Sequence, residues 1–497
     1  MMNRRTTARG VVLAALMAAL AAAGGCGDDS GGAAAEVAWV EHWNHVAIDA
    51  SGLDHTPASA AARLAYGGDG AAGQAADHVF GEQLGPVRAA RAIAIVQMAV
   101  FEAVNAIAGP YATVVSLPKV RHKTSLQAAI AAAAHDTLAA LFPSQLAIFD
   151  GFMAEELAAM GDKVEVRRGL ELGAEAAARV LELRADDGSD HAEPRIGIDY
   201  IPGDAAGIWR QDPVSQHPLA LGARWPEVRP FAIESADQFR CPVPPALGSA
   251  EYAAAFDEAK SLGGDGVATP TDRSEEQTFI GTYWAYDGTP SLCAPPRLYN
   301  QIAMQLALER GTSLLEAARL LALVNVAMAD AGIAAWESKY HYVYWRPVTA
   351  IREADEGTGP SGDGDGNPAT EGDEGFTPLG APASNLAGPN FTPPFPAYPS
   401  GHAAFGGALF ETLRLFFDSD DIAFTFVSDE YNGSTRDNHG ELRPLRPRSF
   451  TALSQAEEEN GQSRIYLGIH WSFDKTAGIA QGRQVARYVY GHLYRPQ

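Results

Sequence analysis

Long alanine-rich stretches, with apolar residues three and four positions apart, recur along this chain of 497 residues. This spacing is typical of amphipathic helices, and Ala, Leu and Glu are strong helix formers. We predict an all-α protein, large and helical, with loops rich in glycine and proline at 203–231 and 352–399. The best candidate for a strand is 421–429. The predicted helices are 87–107, 125–142, 144–160, 167–187, 249–262, 271–286, 297–309 and 312–338.

The first 26 residues have the pattern of an export segment. A basic start precedes the apolar run "VVLAALMAALAAA", which is short for a membrane span and ends in "GGC" at Cys26. This end resembles a bacterial lipoprotein cleavage site, although Ala23 stands where a branched residue is usual. We expect 1–25 to be a signal peptide and the protein to be exported. It is then attached to a membrane through a lipidated Cys26, in the periplasm, at the outer membrane or on the cell surface, or else simply secreted.

The remaining chain divides into a flexible tether at 26–36, an N-terminal helical part at 37–265 and a C-terminal helical part at 266–497. The formal net charge is −24, so the protein surface should repel nucleic acids and anionic lipids. Any cluster of cations is therefore conspicuous. Cys241 and Cys293 could pair in an exported protein, or could be two unpaired buried thiols.

The segment "PSGH" (399–402) stands directly before an apolar, alanine-rich helical pattern. Gly401 has no Cβ, so its backbone N–H can approach a ligand closely. Ser400 should lie near the helix N-terminus, where free N–H groups and the helix dipole favour an anion. Taken alone, a helix cap followed by a surface histidine, His402, explains the segment equally well.

The segment "WESKYHYVYWRPVTAIR" contains Lys339 and Arg346, seven residues apart. On a helix this spacing corresponds to about two turns, so we expect both side chains on one face. The aromatic residues between them predict a buried position, and buried cations need an anionic partner. Two acidic partners at the surface would explain the pair as well.

The segment "SRIYLGIHWSFDKTAG" contains Arg464, His470 and Asp474. A turn at Gly468 would let Arg464 and His470 point the same way. His470 and Asp474 are four residues apart, so one helical turn would bring the carboxylate to the imidazole. Such a partner orients the ring, as groups behind metal-ligating histidines do. Capping or a salt bridge is the alternative role for Asp474.

Together the three segments hold three long cations, a hydroxyl, a glycine N–H and two imidazoles, a set that suits a small phosphate-shaped anion. Their order and spacing resemble the three-part signature of the phosphatidic-acid-phosphatase type 2 and vanadium haloperoxidase superfamily. The resemblance covers about residues 270 to 485 well and the N-terminal half only loosely. It implies two packed helical bundles with the site in the second.

The resemblance implies one of two chemistries at this site. In the haloperoxidases, the histidine equivalent to His470 is the metal ligand of vanadate, and a cation such as Lys339 polarises bound peroxide. In the acid phosphatases, that histidine forms a phosphohistidine and His402 protonates the leaving oxygen. The implied catalytic residues are His402, Lys339 and His470. The implied oxyanion-binding residues are Lys339, Arg346, Ser400, Gly401 and Arg464.

Neighbouring residues favour the haloperoxidase, with orthovanadate as cofactor. Trp336 and Phe395 resemble the aromatic residues of the halide pocket in the chloroperoxidase branch, although either could be an ordinary core aromatic. Asp287, in "YWAYDGTP", matches the acid that pairs with a site arginine, and with Asp474 it would support the ligands from behind. The expected partners are hydrogen peroxide, a halide (bromide first, with chloride as the second candidate) and small organic acceptors. An exported acid phosphatase and a non-catalytic lipoprotein are the alternatives.

Overall fold

The computed structural model describes residues 29–61, 78–118, 120 and 122–497. The expected signal peptide and Cys26 lie outside the described residues, so export and lipidation stay predictions. The first described helix, α1 (Asp29–Asp54), begins inside the segment 26–36 that we expected to be a tether. The tether prediction is therefore wrong from Asp29 onward. Three consecutive alanines there favour a helix, which leads into the buried residues Val37 and Val40.

Helices form most of the regular structure of the described residues, as the alanine-rich patterns predict. One antiparallel ribbon joins β1 (Phe424–Phe426) to β2 (Arg448–Phe450) and pairs Phe424 with Phe450. Strand β1 lies inside the segment 421–429 predicted as a strand, whereas β2 was not predicted. Helices of the N-terminal part after α1 are α2 (Ala58–Ala61), α3 (Pro86–Ala108), α4 (Leu126–Leu141), α5 (Leu146–Met160), α6 (Val164–Leu183) and α7 (Ala250–Gly263). The C-terminal part contains α8 (Glu275–Tyr283), α9 (Pro295–Glu309), α10 (Leu314–Tyr342), α11 (Pro347–Arg352), α12 (Gly401–Phe417), α13 (Leu453–Tyr466) and α14 (Ser472–His492).

Helix α10 lies at the centre of the fold. It packs against α3 on the N-terminal side and against α12 and α14 on the C-terminal side, and one continuous hydrophobic core surrounds it. Among the described helices, α3 and α10 are long and apolar enough to cross a bilayer, but their apolar windows are 83 % and 100 % buried in the protein. They therefore serve as core helices that the two bundles share.

Small residues set how closely the helices of each bundle approach. A Cβ added to Gly173 of α6 would lie 2.3 Å from the carbonyl oxygen of Ala129 in α4. In the second bundle, a Cβ added to Gly482 of α14 would lie 2.0 Å from the carbonyl oxygen of Ala404 in α12. Glycine thus permits near-contact between the helix backbones in both bundles.

The two long loops meet over one end of the second bundle. Leu221 of the first loop donates its backbone N–H to the carbonyl of Pro394 in the second, at 2.9 Å. The backbone N–H of Trp209 likewise donates to the carbonyl of Val343 at the end of α10, at 2.7 Å. Cys241 and Cys293 are both buried and unpaired, so no disulfide joins them.

Candidate active site

The "PSGH" segment begins helix α12, as predicted. Ser400 is the N-cap residue, and its hydroxyl oxygen accepts a weak hydrogen bond from the N–H of Ala403 at 3.4 Å. The Ser400 hydroxyl proton remains available to a ligand. A Cβ on Gly401 would lie 3.1 Å from the indole of Trp336, so glycine allows the first turn to pack on that ring.

The prediction that Lys339 and Arg346 share one helical face is wrong. Helix α10 ends at Tyr342, and Val343 adopts a left-handed conformation with φ of 50°. Arg346 then caps the separate helix α11, with φ of −85° and ψ of 154°. The cause is Pro347, because a residue before proline is pushed out of the helical region.

Arg346 is nevertheless brought to the predicted site by this break in the helix. Its Nε donates to the carbonyl of Phe395 at 2.9 Å, and its Nη1 donates to the carbonyl of Ile469 at 2.7 Å. Nη1 also lies 2.9 Å from Nε2 of His470. The guanidinium therefore joins the loop before α12 to the turn before α14.

Lys339 lies next to the site in a position that the sequence did not predict. Its Nζ donates to three backbone carbonyls, those of Pro396 at 2.7 Å, Ala397 at 3.0 Å and Pro399 at 2.6 Å. These bonds use all three ammonium protons. The structure thus places Lys339 as a support of the backbone that leads into "PSGH", with its charge buried behind Phe395 at 5.0 Å from the ring centre.

His470 is held in one tautomer by two neighbours. Its Nδ1 donates to Oδ2 of Asp474 at 2.7 Å, and its Nε2 accepts from Arg346. The lone pair therefore lies on Nε2, where it accepts from Arg346, so a ligand at this nitrogen would take the place of that hydrogen bond. The predicted turn at Gly468 is present, with φ of 69°. The predicted contact with Asp474 is also present, although His470 precedes α14 and the carboxylate reaches back from its first turn.

Arg464 has two buried donor nitrogens that no protein group among the described residues satisfies. Its Nη2 donates to both oxygens of Asp287, at 2.6 and 2.8 Å, which matches the predicted pairing of that acid with a site arginine. Its Nε and Nη1 are buried and have no partner among the described residues. Leaving buried charged donors unpaired is costly, so these nitrogens fit an anion held at this point.

His402 is positioned by groups that the sequence analysis did not assign. Its Nε2 donates to the carbonyl of Ala285 at 2.5 Å, which leaves the lone pair on Nδ1. Its own carbonyl accepts from the hydroxyl of Tyr299 at 3.1 Å and from the amide of Asn460 at 3.0 Å. Tyr299 lies in the segment "PPRLYNQIA", but nothing in that segment indicates that its hydroxyl contacts His402. Only the fold shows this contact.

The electrostatics of this cluster favour an anion. Three buried cations stand against two carboxylates with buried side chains, Asp287 and Asp474. Burial lowers the pKa of Lys339 well below its ordinary value and that of Arg346 to about 9. Burial raises the pKa of Asp474 to about 7 and also raises that of Asp287 despite its arginine partner. A bound anion would offset the burial of the cations.

Both histidines share this environment. Burial first, and then the neighbouring cations, lower the pKa of His402 and of His470 well below the ordinary value. Both rings are therefore neutral at physiological pH and present one lone pair each. Neutral imidazole is the form that ligates a metal or accepts a proton.

An apolar wall with two aromatic rings adjoins these groups. Trp336 and Phe395 have ring centroids 4.8 Å apart, and the indole N–H of Trp336 donates to the carbonyl of Leu221 at 3.0 Å. Both rings line a cavity of about 370 Å³, together with Gly401, His402, Arg464 and His470. The fold thus brings together all eleven residues that the sequence analysis selected, with Lys339 against backbone carbonyls.

Comparisons with known proteins match the part of the chain that holds most of these groups. The family described as "VCPO second helical-bundle domain" matches residues 319–496. A vanadium chloroperoxidase from Curvularia inaequalis is 38 % identical over 272 residues, which are 47 % of this chain and 43 % of that protein. The match thus spans less than half the length of that relative.

Solved structures extend the similarity of fold to the N-terminal part. The structure of a bacterial vanadium-dependent iodoperoxidase has a TM-score of 0.66 and 24 % identity, covering 83 % of this chain and 92 % of that one. An apo-type bacterial vanadium-dependent chloroperoxidase has a TM-score of 0.59 and 17 % identity, covering 82 % and 94 %. Residues 319–496 therefore match the second helical-bundle domain of that family, and this part of the chain holds the arginine, histidine and "PSGH" segments of the site.

Proposed function

We propose that this protein is a vanadate-dependent haloperoxidase, which oxidises a halide with hydrogen peroxide to hypohalous acid. The observation that supports this most directly is the pair of buried, unpartnered nitrogens of Arg464 in a cavity wall that also holds His470. The similarity to a vanadium chloroperoxidase supports the choice of oxyanion.

The residues present fit orthovanadate, a tetrahedral oxyanion. Nε and Nη1 of Arg464 and the hydroxyl of Ser400 would donate to its oxygens, Arg346 would add charge, and Nε2 of His470 would be its ligand. Vanadate held there would supply Lewis-acid activation of hydrogen peroxide without a change in its own oxidation state.

The neutral imidazole of His402 can accept a proton from hydrogen peroxide as the peroxide enters the site. Its Nδ1 carries the lone pair because Nε2 donates to the carbonyl of Ala285. The ring cannot swing away easily, since α12 is tied at this residue by Tyr299 and Asn460. His402 is thus a general base held in one orientation.

Trp336 and Phe395 would form the halide side of the site. They exclude water, and the indole N–H is already used by Leu221, so the halide meets ring surface and not a strong donor. A large, weakly hydrated anion loses the least hydration free energy when it enters an apolar site of this kind. We therefore propose bromide as a substrate, and chloride where the site excludes water well enough.

The test measures whether purified protein brominates an organic dye or hydrolyses a phosphate ester. Loaded with orthovanadate, it should brominate a phenolic dye in the presence of peroxide and bromide. Replacement of His470 by alanine should abolish the activity and the tight binding of vanadate. His341→Ala is the matched control, because His341 is an exposed histidine beside the same segment and should leave both unchanged.

An exported acid phosphatase is the second candidate, because the unpartnered nitrogens of Arg464 fit phosphate as well as vanadate. It predicts that vanadate-free protein hydrolyses an aryl phosphate, that vanadate only inhibits, and that a phosphorylated His470 can be trapped. Dominant phosphate-ester turnover without any bromination would replace our proposal with this one.

A further inference from the structure

The cavity at the candidate active site is larger than the oxyanion requires. At roughly 30 Å³ for each oxygen-sized group, a four- or five-oxygen ion fills about 120–150 Å³. The cavity volume is about 370 Å³, which is within the range of small-molecule sites. The additional walls are mostly apolar and come from both parts of the chain, with Phe80, Leu84, Leu221, Leu386, Phe391 and Pro394 among them.

Direct contacts join this apolar wall to the oxyanion site. Leu221 donates its N–H to the carbonyl of Pro394 and accepts the indole N–H of Trp336 through its own carbonyl. Gly85 packs so closely on Leu221 that a Cβ would lie 2.9 Å from its side chain. The N–H of Gly85 donates in turn to Nε2 of His55, at 2.9 Å. The wall is therefore built into the fold and is fixed relative to Trp336.

Two polar groups interrupt the apolar wall. Thr289 lines the cavity and is 1 % exposed, and its Oγ1 has no hydrogen-bond partner among the described residues. His217 also lines the cavity, and its Nδ1 accepts from the N–H of Leu219 at 3.3 Å. Its Nε2 proton is then left for a ligand. A mainly apolar pocket with a few placed donors and acceptors is the usual composition of a site for an organic molecule.

We propose that this outer part of the cavity, formed by residues of the apolar wall with Thr289 and His217, binds the organic acceptor of the reaction. The chemical class that fits is an aromatic molecule with one hydroxyl group, such as a naphthol. The ring would lie on the apolar wall and the hydroxyl would bond to Thr289 or His217. This inference rests on the proposed haloperoxidase function for the source of the halogen.

Halogen transfer then takes place inside the cavity. Hypohalous acid, the product of the proposed function, gives its halogen to a ring carbon of the bound acceptor. The carbon–halogen bond forms and the oxygen–halogen bond breaks with its electron pair left on oxygen. The ring carbon loses its proton, which combines with the departing hydroxide to form water. No further oxidant is needed.

Binding can be tested without vanadate. Titration calorimetry of the full-length protein with 1-naphthol should show one site. Thr289→Val keeps the shape and removes the hydroxyl, so we expect affinity to fall about three- to ten-fold. Leu386→Trp should fill the cavity and abolish binding, whereas Val267→Trp, at a 93 % exposed position, should not change it. Absence of binding by the folded wild-type protein would overturn the proposal.

Product analysis separates this proposal from the proposed function. Formation of triiodide from iodide and peroxide needs no organic acceptor and should be unaffected by Thr289→Val. The wild-type protein should brominate 1-naphthol with a ratio of isomers different from that of reagent hypobromite, and Leu386→Trp should restore the reagent's ratio. If the wild-type protein and reagent hypobromite gave the same ratio of isomers, acceptor binding would be refuted. If the wild-type protein bound 1-naphthol but formed no triiodide, only the haloperoxidase function would be refuted.

Discussion

At the scale of single residues, the site is an arrangement of hydrogen bonds that leaves selected atoms unused. Asp474 takes the Nδ1 proton of His470, Ala285 takes the Nε2 proton of His402, and Asp287 takes one nitrogen of Arg464. The atoms left over are the Nδ1 lone pair of His402 and two guanidinium nitrogens of Arg464, while the Nε2 lone pair of His470 accepts from Arg346. Preorganised groups of this kind cost little to bring to a ligand, because the protein has already oriented them.

The bond between His470 and Asp474 gives a prediction at this scale. Asp474→Asn weakens the acceptor that fixes the ring and its basicity, so we expect vanadate affinity to fall about 10- to 100-fold. Equilibrium dialysis with orthovanadate measures this change. Asp363→Asn, in the exposed part of the loop 352–399, is the control. Unchanged affinity in folded Asp474→Asn protein would show that the carboxylate does not tune the ligand.

At the scale of helices, the site depends on how α12, α13 and α14 end and begin. The N-terminus of α12 presents Ser400, the end of α13 presents Arg464, and the turn between α13 and α14 presents His470. The angle and spacing of α12 and α14 therefore decide the distance between these groups. That spacing is set by glycines of α14 that face alanines of α12.

Gly482 tests this dependence on helix spacing. In Gly482→Ala, the new methyl group would meet the backbone of α12, so we expect a loss of stability of roughly 1–3 kcal/mol or more. Gly491→Ala lies on the same helix with nothing within 4 Å, and should be neutral or stabilising by about 0.5–1 kcal/mol. Urea denaturation measures both variants. Equal stabilities would contradict the close packing of α12 and α14.

At the scale of the whole molecule, the two bundles share one hydrophobic core. Helix α10 contributes to both, and the end of the chain returns to the N-terminal part, where Ala112 donates its N–H to the carbonyl of Arg495 at 2.8 Å. Buried near this junction, Glu102 of α3 accepts the N–H of Val114 at 2.8 Å. Burial raises the pKa of Glu102 from 4.5 to about 7.

This carboxyl group makes stability depend on pH. Because its folded pKa is raised, the folded state keeps the proton longer than the unfolded chain, and stability is lost as pH rises from about 4.5 to 7. The side chain of Glu102→Gln cannot ionise. At pH 8 we therefore expect the free energy of unfolding of this variant to exceed that of the wild type by up to about 3 kcal/mol, and by much less at pH 5. Denaturation at both pH values measures the difference. Glu171→Gln, exposed on α6, should show no such trend.

Much of the fold could be predicted because its causes are local. The helices follow from apolar spacing and from alanine content, and the start of α12 follows from a serine cap before an apolar run. The break between Lys339 and Arg346 was missed even though its cause, Pro347, is visible in the sequence. There the helical spacing was extended across a proline that should have ended it.

By itself, the sequence determined which residue types could form an oxyanion site and that helices would carry them, since motif spacing and periodicity are properties of neighbouring residues. Only the tertiary structure decided which atoms remain free. Lys339 donates its three ammonium protons to backbone carbonyls about sixty residues further along the chain. Arg464, in the cavity wall, has two nitrogens without a partner among the described residues. Which polar atoms have partners depends on contacts between segments that are distant in the sequence. The topology of the chain sets those contacts, and the pattern of neighbouring residues does not reveal them.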